Sequence, residues 1–166
     1  MKPISRKWLP QTITLFNFHK DPDSGKINYY RTIIEAARVD EVKTSLGESL
    51  RGVTKHHKTV ILLDRRTSKG YVISEETGRR QDKPYLPWSE WESLAADDKK
   101  CSWSLNQQQL LAVPDNGQKI TVTPEFNRDV EPWQDFISRH GLRPIADIDP
   151  NIDKDGSIHS WKVTLA

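Results

Sequence analysis

Thr12-Ile13-Thr14-Leu15-Phe16-Asn17-Phe18-His19, then Asp21-Pro22-Asp23-Ser24-Gly25, then Asn28-Tyr29-Tyr30-Arg31-Thr32-Ile33-Ile34-Glu35 running on to Lys43, is the stretch that decides the fold class of this chain. The first arm is rich in β-branched and aromatic residues, which fit a pleated, half-buried surface. Pro22 fixes φ, Asp21, Asp23 and Ser24 supply local side-chain acceptors, and Gly25 tolerates a left-handed conformation, so the middle reads as a turn. In the second arm Tyr30, Thr32 and Ile34 alternate with Tyr29, Arg31, Ile33 and Glu35, the period of a strand rather than a helix. From Val39 the period persists as Val39, Glu41 and Lys43 against Asp40 and Val42, which predicts a strand that runs past the first arm and bends or bulges near Ala36-Ala37.

Working outward, Met1 to Pro10 holds two prolines and three cations before any periodicity begins and reads as an extended arm over residues 1–11. Residues 12–166 then form one β-rich domain. Thr44 to Lys58, with Gly47, Gly52 and His56-His57, reads as a long loop of the kind that is often functional. Thr59-Val60-Ile61-Leu62-Leu63 is the most continuously apolar run and reads as a central strand buried on both faces. Gly70 to Ile73 is a short strand, and residues 74–86 are an exposed polar excursion. Pro87 to Leu94 has Trp88, Trp91 and Leu94 at helical spacing behind an entry proline. Strands are expected at Ser102–Leu105, Gln109–Val113 and Lys119–Val122, the last two joined by a turn at Pro114-Asp115-Asn116-Gly117. Val130 to His140 is a second amphipathic helix stopped by Gly141, and Leu142–Asp149 with Ser157–Leu165 is a closing hairpin. The order of elements predicts a mainly β (α+β) fold, an antiparallel β-barrel or sandwich with two short helices packed on one side.

Composition narrows the function. Of 166 residues only 35% are hydrophobic and 29% charged, and the signs nearly cancel at a formal net charge of +2. That low apolar share places much of the chain on surfaces, and the balanced charge lacks the excess of a dedicated nucleic-acid binder. The single Cys101 leaves no disulfide within the chain and no multi-thiolate zinc site. No apolar run approaches the about 20 residues that span a bilayer, and the basic start lacks the apolar segment of a signal peptide, so no membrane or secretory role is expected.

No constellation of residues points to catalysis. Asn151-Ile152-Asp153-Lys154-Asp155-Gly156-Ser157 imitates the first half of a calcium loop, but Lys162 stands where the closing acid belongs, so a polar hairpin turn is the better reading. His56-His57 has no acid or thiol at a supporting spacing. Cys101 lies beside Lys99-Lys100 with no elbow motif around it. No Gly-rich phosphate loop, His-Glu-x-x-His or Gly-x-Ser-x-Gly occurs. The expectation is a protein that is not an enzyme and needs no cofactor or metal. The six Trp are the heavier signal, because Trp is enriched where proteins meet. Trp103, Trp133 and Trp161 are assigned to packing, whereas Trp8, Leu9, Trp88 and Trp91 are interface candidates. Arg51, Lys55, His56, His57 and Lys58 are candidates for a loop that contacts a neighbour or lines a channel.

The segments Ile13-Thr14-Leu15-Phe16-Asn17, Tyr30-Arg31-Thr32-Ile33-Ile34, Pro84-Tyr85-Leu86 into Trp88-Ser89-Glu90-Trp91, Trp103-Ser104-Leu105 and His159-Ser160-Trp161-Lys162-Val163 together resemble a family of small, functionally unassigned proteins. These are encoded by phages and prophages, notably of Gram-positive bacteria, among the genes for head and tail assembly. The likeness runs in order over most of the chain and leaves out the arm before Thr12 and the segment from Arg65 to Asp82. The resemblance implies a virion component of the head-to-tail junction, of head-completion, adaptor or stopper type, made in the host cytoplasm. It would form a homo-oligomeric ring with portal or adaptor and tail proteins, with non-specific contact to packaged DNA. No catalytic residue is implied. The alternative is a monomeric DNA- or carbohydrate-binding β-barrel module.

Overall fold

The computed structural model describes residues 1–49, 52–114 and 118–166, and of 43–49 and 52–57 the backbone alone. Eight strands form one antiparallel sheet: β1 (Gln11–Lys20), β2 (Ile27–Ser49), β3 (Gly52–Asp64), β4 (Lys69–Ile73), β5 (Arg80–Lys83), β6 (Leu110–Ala112), β7 (Arg143–Ile152) and β8 (Ile158–Leu165). The spatial order β1-β6-β7-β8-β3-β2 closes on itself because β2 also pairs with β1, giving a six-stranded barrel, and β4-β5 extend the sheet from the side of β2. The helices are short: α1 (Trp88–Glu92), α2 (Ala96–Lys99) and α3 (Trp133–His140).

The opening hairpin forms as its composition predicts. Ile13 pairs with Ile34 and His19 with Asn28, and the register slips by one residue between Ile13 and Gln11, which faces Ala37. The extra residue is Ala36, held at φ 60°, which places the bulge expected near Ala36-Ala37. The bulge frees β2 to leave β1 and continue along β3, from Ala37–Leu63 to Ser49–Gly52.

Alternation also explains the core. Ile13, Leu15, Ile34, Ile61, Leu63, Leu111, Ile145, Trp161, Val163 and Leu165 fill the barrel with Trp103 and Leu105. Phe16, on the opposite face of β1, joins Leu110, Ala112 and Leu142 in a second cluster under Phe136 of α3. Both faces of β1 are thus covered, one by the barrel and one by a helix. Gly141 caps α3 at φ 62°, the left-handed stop that the sequence required. At Gly70 the need is space: an added Cβ would lie 2.5 Å from Trp103 Nε1 and 2.9 Å from Thr32 Cγ2.

Several sequence expectations are corrected. Of the predicted loop Thr44–Lys58, residues 44–49 and 52–58 are strand, since β2 runs to Ser49 and β3 begins at Gly52. The excursion at 74–86 contains β5, paired from Gly70–Lys83 to Ile73–Arg80. The Thr59–Leu63 run has its burial on one face: Thr59, Ile61 and Leu63 are buried, Val60 and Leu62 only half-buried, because a barrel strand has an inside and an outside. Ser102–Leu105 makes only a single bridge, Trp103 to Tyr85. The backbone of Ser104 is served instead by the Asn17 side chain, whose amide donates to Ser104 O at 2.9 Å and accepts from Ser104 N–H at 3.1 Å. Lys119–Val122 shrinks to a bridge between Ile120 and Thr12, and residues 115–117 of the proposed turn lie outside the described residues. A third short helix, α2, follows α1.

Candidate functional site

Beyond the barrel, β2 and β3 continue as a pair. The last contact of β8 with β3 is Leu165 opposite Thr59, whereas β2–β3 pairing goes on from Val42–Lys58 through Lys43–His57 and Ser45–Lys55 to Ser49–Gly52. Among the described residues no third strand pairs with either arm past that point. Seven residues of β2 at about 3.4 Å each make this ribbon roughly 24 Å long. Lys55, His56 and His57 lie on its β3 arm, Lys58 is exposed at its base, and Arg51 lies outside the described residues.

The N-terminal arm is fastened to its own barrel by one buried carboxylate. Asp64, fully buried at the end of β3, accepts the backbone N–H of Ile4, Arg66 and Thr67, each at 2.9 Å. His159 Nδ1 lies 3.6 Å away. Burial alone would push the Asp64 carboxyl up, but these donors and His159 outweigh it and hold the group below its usual range. Thr67 Oγ returns a hydrogen bond to Ile4 O at 2.7 Å. Arg6 reaches Glu35 at 3.0 Å, and Glu35 is lowered mainly by its hydrogen bond from Arg80, with burial opposing and Arg6 adding.

The interface candidates separate by burial. Leu9 and Trp91 are core residues, 1% and 0% exposed, which removes them as surface anchors of the folded chain. Trp91 packs edge-on against Tyr30 and stacks on Trp88, so Trp88, half-buried, is mostly consumed by its own helix. Trp8 is 57% exposed. It borders a shallow groove with Gln11, Arg38, Val39 and Lys119. The apolar spacing of Pro87–Leu94 was a core signal, while Trp8, in a proline-bounded segment without periodicity, is the one left in solvent.

A separate cleft opens where β4 parts from β2. Their pairing runs from Glu35–Lys69 to Ile33–Tyr71 and stops there, although β4 continues to Ile73. The gap is a cavity of about 470 Å³ lined by Tyr29, Arg31, Val72, Lys83, Lys100 and Phe126 among others. Lys83 is 4% exposed and donates through Nζ to Arg31 O at 3.0 Å, replacing a ladder partner that β4 does not supply. Burial lowers its pKa to about 8, Cys101 and Glu125 opposing and Arg31 reinforcing. The Arg31 side chain is 9% exposed and only approaches Glu125, at 3.9 Å. Its Nη1 donates to Thr123 O at 2.9 Å, and its Nε meets no acceptor. Sequence reading missed this pair because Lys83 follows Asp82 in a polar stretch, and nothing local marks it as buried.

Asn151–Ser157 covers the end of β7 and the turn into β8, with Gly156 at φ 84° and Asp155 Oδ1 accepting from Ser157 N–H and Oγ–H. Cys101 is exposed, and its sulfur meets Asp97 O and the Gln81 amide rather than a histidine. Among the described residues no three His, Cys, Asp or Glu side chains converge as metal ligands, and no helix is long and apolar enough to cross a membrane. Compared with protein families, with curated proteins and with solved structures, the chain matches none.

Proposed function

We propose that this chain is a structural assembly subunit, a virion protein of a phage head-to-tail junction that forms a homo-oligomeric ring with portal or adaptor and tail proteins. The observation that carries the reading is the β2–β3 ribbon. Isolated two-stranded ribbons are marginal in water, and this one leaves the barrel with no third strand from the described chain to complete it. A neighbouring copy or partner that adds to its open edges gains main-chain hydrogen bonds and fixes a register between subunits. Lys55, His56, His57 and Lys58 give the ribbon a basic character, suited to non-specific contact with packaged DNA. Exposed Trp8, beside the bulge end of β2, is a second anchor for the neighbour.

The test is assembly by mass photometry. The intact chain is expected to form multi-subunit rings, alone or with its portal. A variant with residues 44–56 replaced by Asn-Gly, which closes a two-residue hairpin on the Lys43–His57 pair, is expected to stay monomeric with unchanged circular dichroism. An intact chain that remains monomeric with portal present, or a shortened chain that still assembles, overturns the proposal.

A further inference from the structure

We propose that the cleft between β2 and β4-β5 binds a small organic monocarboxylate, its anionic head held by Lys83 and Arg31 and its apolar body laid against Tyr29, Val72 and Phe126. This site is independent of the assembly reading.

The argument begins with charge. Buried charges in proteins are normally paired, because an unpaired one forfeits its hydration. Here two cations, Lys83 at 4% and the Arg31 side chain at 9% exposure, share one cavity. Among the described residues no carboxylate stands within hydrogen-bonding distance of either: Glu125 remains 3.9 Å from Arg31, and the Lys83 amine donates to a backbone carbonyl. An ammonium has three donors and a guanidinium five; Lys83 directs one to Arg31 O and Arg31 one to Thr123 O. The depressed amine pKa follows from burial of the cation, which outweighs the opposing charges of Cys101 and Glu125.

The walls set the rest of the ligand. Tyr29 and Phe126 also border the two adjoining depressions, so the apolar floor continues beyond the cationic end. A cavity of about 470 Å³ falls within the usual range for small-molecule sites. Glu75, Glu76 and Glu125 stand at the mouth and are exposed. Their repulsion grows with the charge of the ligand, so a polyanion or phosphate is opposed more strongly than a single negative charge. A purely structural role, Lys83 closing an open carbonyl of β2, would account for its hydrogen bond but not for Arg31 beside it, whose Nε meets no acceptor and whose contact with Glu125 is long, at 3.9 Å.

Amide-resolved NMR titration of the intact chain distinguishes the two. With phenylacetate, saturable shifts are expected at Arg31, Val72 and Lys83 at ligand concentrations up to about 10 mM, the weak end of specific recognition. The neutral isostere phenylacetamide should bind at least about tenfold more weakly, the loss of one charge-assisted contact, and inorganic phosphate should not compete. Lys83→Gln, checked for a native spectrum, should show the same loss. Equal affinity for acid and amide, absence of saturation, or phosphate binding at least as tight as phenylacetate would each overturn the proposal. The comparison of acid and amide on the unaltered protein decides it even if the variant fails to fold.

Discussion

Strand β2 lives in two environments. Up to Ala37 it is clamped between β1 and β4 and contributes Ile34 and Ala37 to a closed core, whereas beyond Val42 it has β3 alone. The first half is explained by burial within the chain. The second is held by the pairing of two strands, and two-stranded pairing by itself adds little net stability in water. The same strand therefore separates what folds the molecule from what the molecule offers to others.

The strongest way to break that division is to attack the barrel half. Trp161 is 2% exposed and touches Tyr85 and Trp103 with its ring. Trp161→Ala should cost about 3–5 kcal/mol, read as a lowered urea midpoint with the native spectrum lost first in the barrel. If that cost proves no larger than the effect of shortening the ribbon, the two halves are not energetically distinct.

The legible parts of the sequence were those where burial imposes a period. The opening hairpin, the bulge at Ala36, the α3 helix with its Gly141 stop and the closing hairpin all follow from side chains that must face a core. The ribbon reads as a loop in the sequence because Lys43-Thr44-Ser45-Leu46-Gly47-Glu48-Ser49 carries one aliphatic residue, too few to mark an alternation. Leu9 and Trp91 were misassigned because a core residue in a proline-rich arm or a five-residue helix looks locally like an anchor. The cleft was invisible for another reason: Arg31 and Lys83 meet only because β4 folds back along β2, and no local pattern announces such a meeting.

A middling effect is expected where the arm joins the barrel. Asp64→Asn keeps the size of the side chain but replaces one of its two acceptor oxygens with an NH2 that cannot accept the Ile4 N–H, costing about 1–3 kcal/mol; faster hydrogen exchange at the Ile4 amide would localise it. The unaltered protein should show the same linkage in its pH dependence. The folded carboxyl titrates below its ordinary value of 3.8. Its stabilisation is thus complete above about pH 4 to 5 and is lost as the pH falls through the lower folded value. Shortening the ribbon should leave this acid transition where it is, since Asp64 owes nothing to residues beyond Lys58.

The smallest effect sits at the junction of the two environments and is the sharpest. Ala36 holds φ 60°, its carbonyl accepts Ser68 Oγ–H at 2.6 Å, and Gln11 Oε1 takes the Val39 N–H at 2.7 Å just past the bulge. The conformation is fixed from outside the residue. A left-handed alanine costs about 1–2 kcal/mol, which Ala36→Gly relieves. Against that stand about 0.5–1 kcal/mol of extra chain entropy and about 0.8 kcal/mol for the lost buried methyl. The net change should lie within about 0.5 kcal/mol of zero. Ala37, fully buried next door and without a positive φ, has no strain to release, so Ala37→Gly should cost about 1.5 kcal/mol. Parallel urea titrations of the two variants test this directly. Equal destabilisation would mean that Ala36 is ordinary extended backbone, and β2 would then have no hinge at which to leave the barrel and become a ribbon.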